Sequence, residues 1–368
     1  MELGRRDLLL SAAALVAGSS GITRAATPRK LGYAIVGLGG YGLGRIIPEL
    51  RHCAHSRLAA VVTGDRAKGV RAAEEHALPA TSVYSYADFD RIRDDPTIDI
   101  VYVCLPNAQH AEFVIRAARA GKHVLCEKPM AVSVAECETM IAACKKADRK
   151  LMIGYRIHFE PFNREAMRLA RSGAVGRIRY VQSEHGFVQR DPGAWRLKRA
   201  LSGGGSLMDM GVYSLQAARY MTGEEPVAVT ARESTDRRDP RFREVEDMIQ
   251  WTLEFPSGAM ASCQSMYSAN QNRILTMGET GRIELEPATR YDGQKMWTGK
   301  DGRERSVTPP PAPWTNQFVG QLDHLPACIA SGGEPIVSGE EGLRDMRIIE
   351  AIYRSAREGR TIRLGASA

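Results

Sequence analysis

Cysteine is scarce in this 368-residue chain and poorly placed for structural chemistry. The seven residues, Cys53, Cys104, Cys126, Cys137, Cys144, Cys263 and Cys328, are odd in number and form no C-x-x-C pair. Neither a disulfide framework nor a zinc ribbon is therefore expected, and no metal site. Several of these thiols fall in apolar runs and read as small buried hydrophobes. Blocks of Lys and Arg, and alternation of basic with aromatic residues, are also missing, so the formal charge of +7 argues for no nucleic-acid partner. There is no internal repeat. The apolar run Leu8 to Ala17 falls short of the ~20 residues of a bilayer span, which argues against a retained membrane anchor.

That run has a different reading. It follows Gly4-Arg5-Arg6-Asp7 and precedes the small residues of Thr23-Arg24-Ala25-Ala26, the pattern of a twin-arginine export signal over residues 1–26. The mature protein is then expected in the periplasm. Removing the signal takes away Arg5, Arg6 and Arg24 together with Glu2 and Asp7, which leaves a charge of +6. About 340 residues remain, more than single cores usually support, so two domains are expected. A chain that matures in a reducing cytosol and crosses folded can keep free thiols.

The most informative segment present is Leu31-Gly32-Tyr33-Ala34-Ile35-Val36-Gly37-Leu38-Gly39-Gly40-Tyr41-Gly42. An apolar run suited to a buried parallel strand empties into G-x-G-x-x-G and then a helical stretch from Gly44 to His52. Gly37 permits the tight turn, Gly39 lets a pyrophosphate reach the backbone, and Gly42 lets the helix pack on its strand. The free N–H groups of that helix favour the bound anion. A second apolar strand, Leu58 to Val62, ends in Thr63-Gly64, where NAD-preferring folds usually carry Asp or Glu for the ribose 2′-OH. Arg66 and Lys68 follow, and two cations beside a hydroxyl suit a 2′-phosphate. NADP is the expected nucleotide. Asp65 has two readings, an N-cap for the helix from Ala67 or a ligand of a bare 2′-OH that would admit NAD.

Strand and helix patterns then alternate as in a parallel sheet, with strands near 31–36, 58–63, 98–105, 123–126 and 150–155. Helical stretches near 42–52, 67–77, 110–120 and 133–148 fall between them. This predicts an α/β chain whose first part, residues 27–155, is a doubly wound dinucleotide-binding domain. Residues 156–368 change character: after a helix near 160–172 come runs such as Arg179 to Glu184, Met248 to Phe255 and Ala259 to Met266, which suit a large, mostly antiparallel sheet in an α+β domain. Pro309 to Pro313 reads as a linker. Helical patterns from Thr315 to Ala330 and Gly339 to Glu358 are expected to return to the first domain.

The chemistry is expected at the strand ends. Cys126-Glu127-Lys128-Pro129 closes a strand at the carboxyl edge where open α/β sheets bind ligands, and Pro129 biases Lys128 away from helical geometry. The alternative for Lys128 is a solvated surface charge. Gly203 to Ser206 reads as a flexible loop entering a helix on which Asp209 and Tyr213, at i and i+4, share one face. Phenols are weak bases at neutral pH, and an ammonium nearby stabilises the phenolate, so the pattern asks for Lys128 and Tyr213 together. Alone, Tyr213 would read as a core aromatic.

Gly37 to Gly42, Glu127-Lys128-Pro129, Gly154-Tyr155-Arg156-Ile157-His158 and Asp209-x-Gly211-x-Tyr213 resemble the glucose–fructose oxidoreductase, inositol dehydrogenase and rhizopine-catabolism (Gfo/Idh/MocA) family, nearly end to end from Leu31 to Arg363. Many members carry His where Tyr213 stands. The tyrosine, with Trp195-Arg196-Leu197 and Gly203 to Asp209, is most similar to the sugar-coupling branch of glucose–fructose and aldose–aldose oxidoreductases. The resemblance implies Lys128, Asp209 and Tyr213 as catalytic residues, and Tyr155 and Arg156, with those three, at the sugar. It implies NADP(H), tightly bound, at Gly37, Leu38, Gly39, Gly40, Tyr41, Thr63, Gly64, Arg66, Lys68, Leu105, Pro106, Asn107, His110, Glu127, Lys128, Arg156, Trp195 and Arg196. His158 and His185 are as readily structural.

The expected reaction is hydride transfer from C1 of an aldose to NADP⁺, with Tyr213 as base and Lys128 polarising the C1 oxygen, followed by reduction of a second sugar to an alditol. A homodimer or higher oligomer is expected, paired through the antiparallel sheet. Glucose–fructose oxidoreductase has a long Pro-rich arm ahead of its first strand, and only about six residues, from Thr27, stand there in this chain. Tetramer formation and non-dissociating cofactor are therefore not carried over on the arm. Two other readings remain open, a nicotinamide-dependent glycoside hydrolase of the same fold and a non-catalytic sugar- or nucleotide-binding protein.

Overall fold

The computed structural model describes residues 29–300 and 303–365, so the expected export signal lies outside the described residues. Six parallel strands, β1 (Leu31–Val36), β2 (Ser56–Val62), β3 (Val83–Tyr84), β4 (Ile100–Val103), β5 (His123–Cys126) and β6 (Leu151–Ile153), form one sheet in the order β3-β2-β1-β4-β5-β6. Tyr33, Ala34, Ile35 and Val36 are all fully buried, as a strand covered on both faces requires. The two-residue β3 was not legible in the sequence, being too short to show a period. The stretch after the glycine loop is not one regular helix: a wide π turn (Gly42–Ile46) passes into a short helical piece carrying Pro48.

Beyond the Pro161–Arg171 helix a nine-stranded sheet takes over: β7 (Ile178–Gly186), β8 (Ala228–Ser234), β9 (Met248–Glu254), β10 (Met260–Met266), β11 (Gln271–Gly278), β12 (Arg282–Leu285), β13 (Met296–Lys300), β14 (Arg303–Ser306) and β15 (Ile362–Arg363). Its order is β14-β13-β12-β11-β7-β10-β9-β8-β15, antiparallel except where β7 runs parallel to β10. The Gln317–Ser331 helix does return to the parallel sheet, burying Phe318, Val319, Leu322 and Leu325 with Tyr33, Ile35 and Tyr102. The other face of that sheet shares a continuous apolar core with the larger sheet, including Val103, Ile153, Tyr213, Trp251 and Ile349. All seven cysteines are free, and all but Cys104 are buried. Among the described residues no helix is long and apolar enough to cross a membrane.

The Val212–Thr222 helix lies against β7 and is locked at its far end by charge. Arg219, 3 % exposed, meets Asp345 at 2.5 Å and Glu341 at 2.7 Å on the Gly339–Glu358 helix, and Glu225 at 2.6 Å. Gln216 Nε2 donates to Asp345 at 2.8 Å. Burial opposes the Glu341 charge, but Arg219, Tyr220 and Arg344 drive its carboxyl from 4.5 down to about 2. The stability this contributes is present above 4.5 and is lost as pH falls toward 2. Replacing Arg219 with Met strands Asp345 in the interior. Urea denaturation should show a loss of ~3–5 kcal/mol at neutral pH, smaller in acid, where protonation relieves the stranded carboxylates.

Candidate functional site

The carboxyl ends of β1, β2, β4 and β5 open into a cavity of about 900 Å³ whose opposite wall comes from the larger sheet. Gly37 takes φ +99°, and a Cβ on Gly42 would stand 2.2 Å from the Gly37 carbonyl oxygen, so the loop turns and packs as the glycine spacing demands. A Cβ on Gly39 or Gly40 would meet nothing within 4 Å. That open side faces the cavity and fits a pyrophosphate against backbone. Thr63 and Lys68 line the same cavity at the end of β2. Asp65 turns away to cap the next helix, accepting from the Lys68 amide at 2.9 Å, which settles its two readings in favour of the cap.

Glu127 and Lys128 follow β5. Tyr102 donates to Glu127 Oε1 at 2.5 Å and receives Gln321 Nε2 at 2.7 Å. Burial raises the Glu127 carboxyl above its ordinary value, against hydrogen bonds and Lys128, which lower it. Lys128 is no solvated surface charge. Its Nζ donates to the Asp209 carbonyl at 2.7 Å, lies 3.4 Å from Asp209 Oδ1, and stands 4.7 Å from the centre of the Tyr213 ring. Burial works against the ammonium, but Tyr213, Asp209 and Glu127 outweigh it and raise Lys128 above its usual range.

Asp209 sits on a π turn (Leu207–Gly211) that runs straight into the helix carrying Tyr213. Its Oδ2 pairs with Arg196 Nε at 2.8 Å and accepts from the Tyr267 hydroxyl at 3.1 Å. Burial disfavours its charge, yet Arg196 and Lys128 hold the carboxyl below the ordinary carboxylate range. The loop ahead of this turn is not flexible. A Cβ on Gly204 would stand 2.0 Å from the Tyr353 hydroxyl and one on Gly205 2.1 Å from the Glu246 carbonyl, so these glycines serve close approach. The buried Glu246 carboxylate accepts from the amides of Gly205 at 2.8 Å and Leu207 at 3.0 Å and from Tyr353 at 2.8 Å.

Gly37, Leu38, Gly39, Gly40, Tyr41, Thr63, Lys68, Leu105, Pro106, Asn107, Glu127, Lys128, Arg156, Trp195, Arg196, Asp209 and Tyr213 all line the cavity, as the sequence leads one to expect. Four expected residues do not. Tyr155 is 1 % exposed and packed in the core, so it cannot touch a sugar. His110 is fully buried, its ring nitrogens 2.9 and 3.0 Å from the carbonyls of Leu105 and Pro129, where it braces the wall from behind. Gly64 and Arg66 are exposed and lie outside the wall, because the chain has already turned into the capped helix. Arg156 reaches the cavity, but its guanidinium is engaged with Gln317 Oε1 at 2.5 Å and the Thr289 carbonyl at 2.6 Å.

His158 and His185 are structural. Burial lowers them to about 4 and about 3; His158 stacks edgewise on Tyr220, and His185 Nδ1 lies 2.8 Å from Ser214 Oγ. Sequence reasoning missed Arg45, Tyr86, Phe187 and the segment from Thr289 to Asp292 on the cavity wall. None of these stands in a motif; only the fold brings them there. Among the described residues no group of His, Cys, Asp and Glu could hold a metal ion.

Residues 31–155 match the model of an oxidoreductase family's NAD-binding Rossmann fold, and residues 168–364 match the C-terminal alpha/beta domain of the same family. The crystal structure of aldose–aldose oxidoreductase from Caulobacter crescentus, complexed with glycerol, is similar at 60 % identity and a TM-score of 0.90, over 91 % of this chain and all of that one. A D-xylose 1-dehydrogenase (NADP⁺) of Haloferax volcanii is 32 % identical over 338 residues, 90 % of this chain and 99 % of the relative. A D-xylose 1-dehydrogenase (NADP⁺) of Haloarcula marismortui is 29 % identical over 349 residues, 92 % of this chain and 94 % of the relative. With both its halves matched in their proper order, the chain belongs to the Gfo/Idh/MocA oxidoreductase family.

Proposed function

We propose that the chain is an NADP-dependent sugar oxidoreductase that oxidises a pyranose aldose at C1 to the aldonolactone and returns the reducing equivalents, through cofactor that stays bound, to a second sugar. The observation that carries this is the Lys128 ammonium set between Asp209 and the Tyr213 ring on the wall shared with the glycine loop. The relatives act on aldoses, and xylose dehydrogenases among them use NADP⁺. The glycine loop, Thr63 and Lys68 would hold the dinucleotide, which when bound accepts a hydride at the nicotinamide. Tyr213 takes the proton of the sugar C1 hydroxyl. Lys128 stabilises the charge that develops on that oxygen and on the phenol, and its bond to the Asp209 carbonyl holds it in place. Asp209, already anionic, accepts from sugar hydroxyls or steers the proton outward.

Export by the twin-arginine route to the periplasm belongs to the same proposal and rests on Arg5-Arg6 and the apolar run after them. So does a homodimer. Along β7, Ser183 and His185 are buried while Gln182 and Glu184 are partly exposed, which leaves the nine-stranded sheet a polar outer face for a copy.

Tyr213→Phe removes the proton acceptor and keeps the ring. Turnover should fall by roughly 10²–10⁴ with nucleotide binding intact by fluorescence titration; near-normal turnover would move the base to Asp209. Thr63→Asp should repel a 2′-phosphate and shift preference toward NAD. Equal wild-type affinity for NAD and NADP would sink that assignment of the strand end.

The coupled reading is tested by extensive gel filtration followed by single-turnover absorbance of reduced nicotinamide. Protein that retains NADP, is reduced by an aldose alone and is reoxidised by a second sugar supports it. Protein that emerges without nucleotide and needs added NADP for every turnover is an ordinary dehydrogenase.

A further inference from the structure

Between β12 and β13 the chain leaves the nine-stranded sheet and reaches the glycine loop of the parallel one. Thr289, Arg290, Tyr291 and Asp292 of this crossing line the same cavity as Gly37 to Gly42. Its base is fixed. Asn272 Oδ1 accepts from the amides of Ala288 and Thr289 at 2.7 and 2.6 Å, and Arg156 donates to the Thr289 carbonyl at 2.6 Å. Gln317 Nε2 donates to the Tyr291 carbonyl at 2.7 Å. Its tip is different: Tyr291 is 43 % exposed, a large aromatic left open beside the cavity.

That ring is nonetheless aimed. Its centre lies 6.5 Å from Tyr41 of the glycine loop and 5.1 Å from Phe318, and the guanidiniums of Arg45 and Arg156 stand over it at 4.9 and 4.8 Å. Arg45 and Arg290 put two more cations on a wall that already offers the free amides of the glycine loop. An aromatic held by cations at the rim of an anion cradle gives up its solvent only to what fills the cradle.

We infer that the crossing from Thr289 to Asp292 is a clasp that slows departure of the dinucleotide, with Tyr291 as the residue that closes it. The inference rests on the NADP reading above and extends it, since retention between half-reactions needs a structure that makes release slow. Ring contacts of this kind act mainly on the dissociation rate. Tyr291 touches no reacting atom; its place is over the cofactor.

The test uses full-length protein loaded with NADPH and mixed with excess NADP⁺, with loss of bound nicotinamide fluorescence giving the release rate. Tyr291→Ala should release NADPH about tenfold faster than wild type, the worth of one well-made aromatic–cation contact. Tyr291→Phe should release at the wild-type rate, and both variants should keep the cofactor-free melting temperature. A Tyr291→Ala rate equal to wild type overturns the clasp, and so does Tyr291→Phe releasing as fast as Tyr291→Ala. Wild-type protein that binds NADPH but releases it within a turnover defeats the sugar–sugar coupling alone, because the clasp is judged on the ratio between variant and wild type. Wild type that binds no NADPH removes both.

Discussion

The Asp209 carboxylate is a charge taken out of water, and its partners come from separate parts of the chain. Lys128 arrives from the end of a parallel strand, Arg196 from the turn after β7, and Tyr267 from the residue following β10. An unpaired buried charge costs several kcal/mol, so the two sheets have one arrangement in which this carboxylate is satisfied. That arrangement also places the Lys128 ammonium against Tyr213. The joint between the halves and the chemistry of the cavity are thus one set of contacts.

Two further buried acids keep the helix of Tyr213 where this joint needs it. Glu246 holds the loop ahead of it through backbone amides, and Asp345 holds its far end through Arg219 and Gln216. Both are rigid anchors of the same kind, a carboxylate filled with donors. Arg156 does the corresponding work on the other side, tying the crossing after β12 to the Gln317–Ser331 helix through Thr289 and Gln317. The cavity is accordingly framed by fixed walls, with Tyr291 the exposed exception among its large aromatics.

Much of this was legible in the residues. The strand, the glycine spacing and the missing acid after β2 are local, and local signals survive in a sequence: Gly37, Gly42, Thr63 and Lys68 stand where they were expected. So do Lys128, Asp209 and Tyr213, which motifs mark. What was misread depended on direction. Tyr155 and His110 adjoin site residues in the chain, but their side chains point into the core, and no spacing rule reports that. The triple glycine read as flexibility and proved to be clearance for Tyr353 and Glu246. Tyr291 and Arg45 were invisible because they meet only across two sheets, at a sequence separation no motif spans.

The division of the cavity between two sheets has a consequence for how such a protein can change. The wall that distinguishes one nucleotide from another, Thr63 and Lys68, belongs to the parallel sheet, whereas Phe187, Trp195 and Arg196 belong to the half of the chain that builds the larger one. The two walls share no strand. Drift in one can therefore accumulate without disturbing the other, so that a lineage can exchange its sugar while keeping its electron carrier, or the reverse, by altering a few side chains on a single wall.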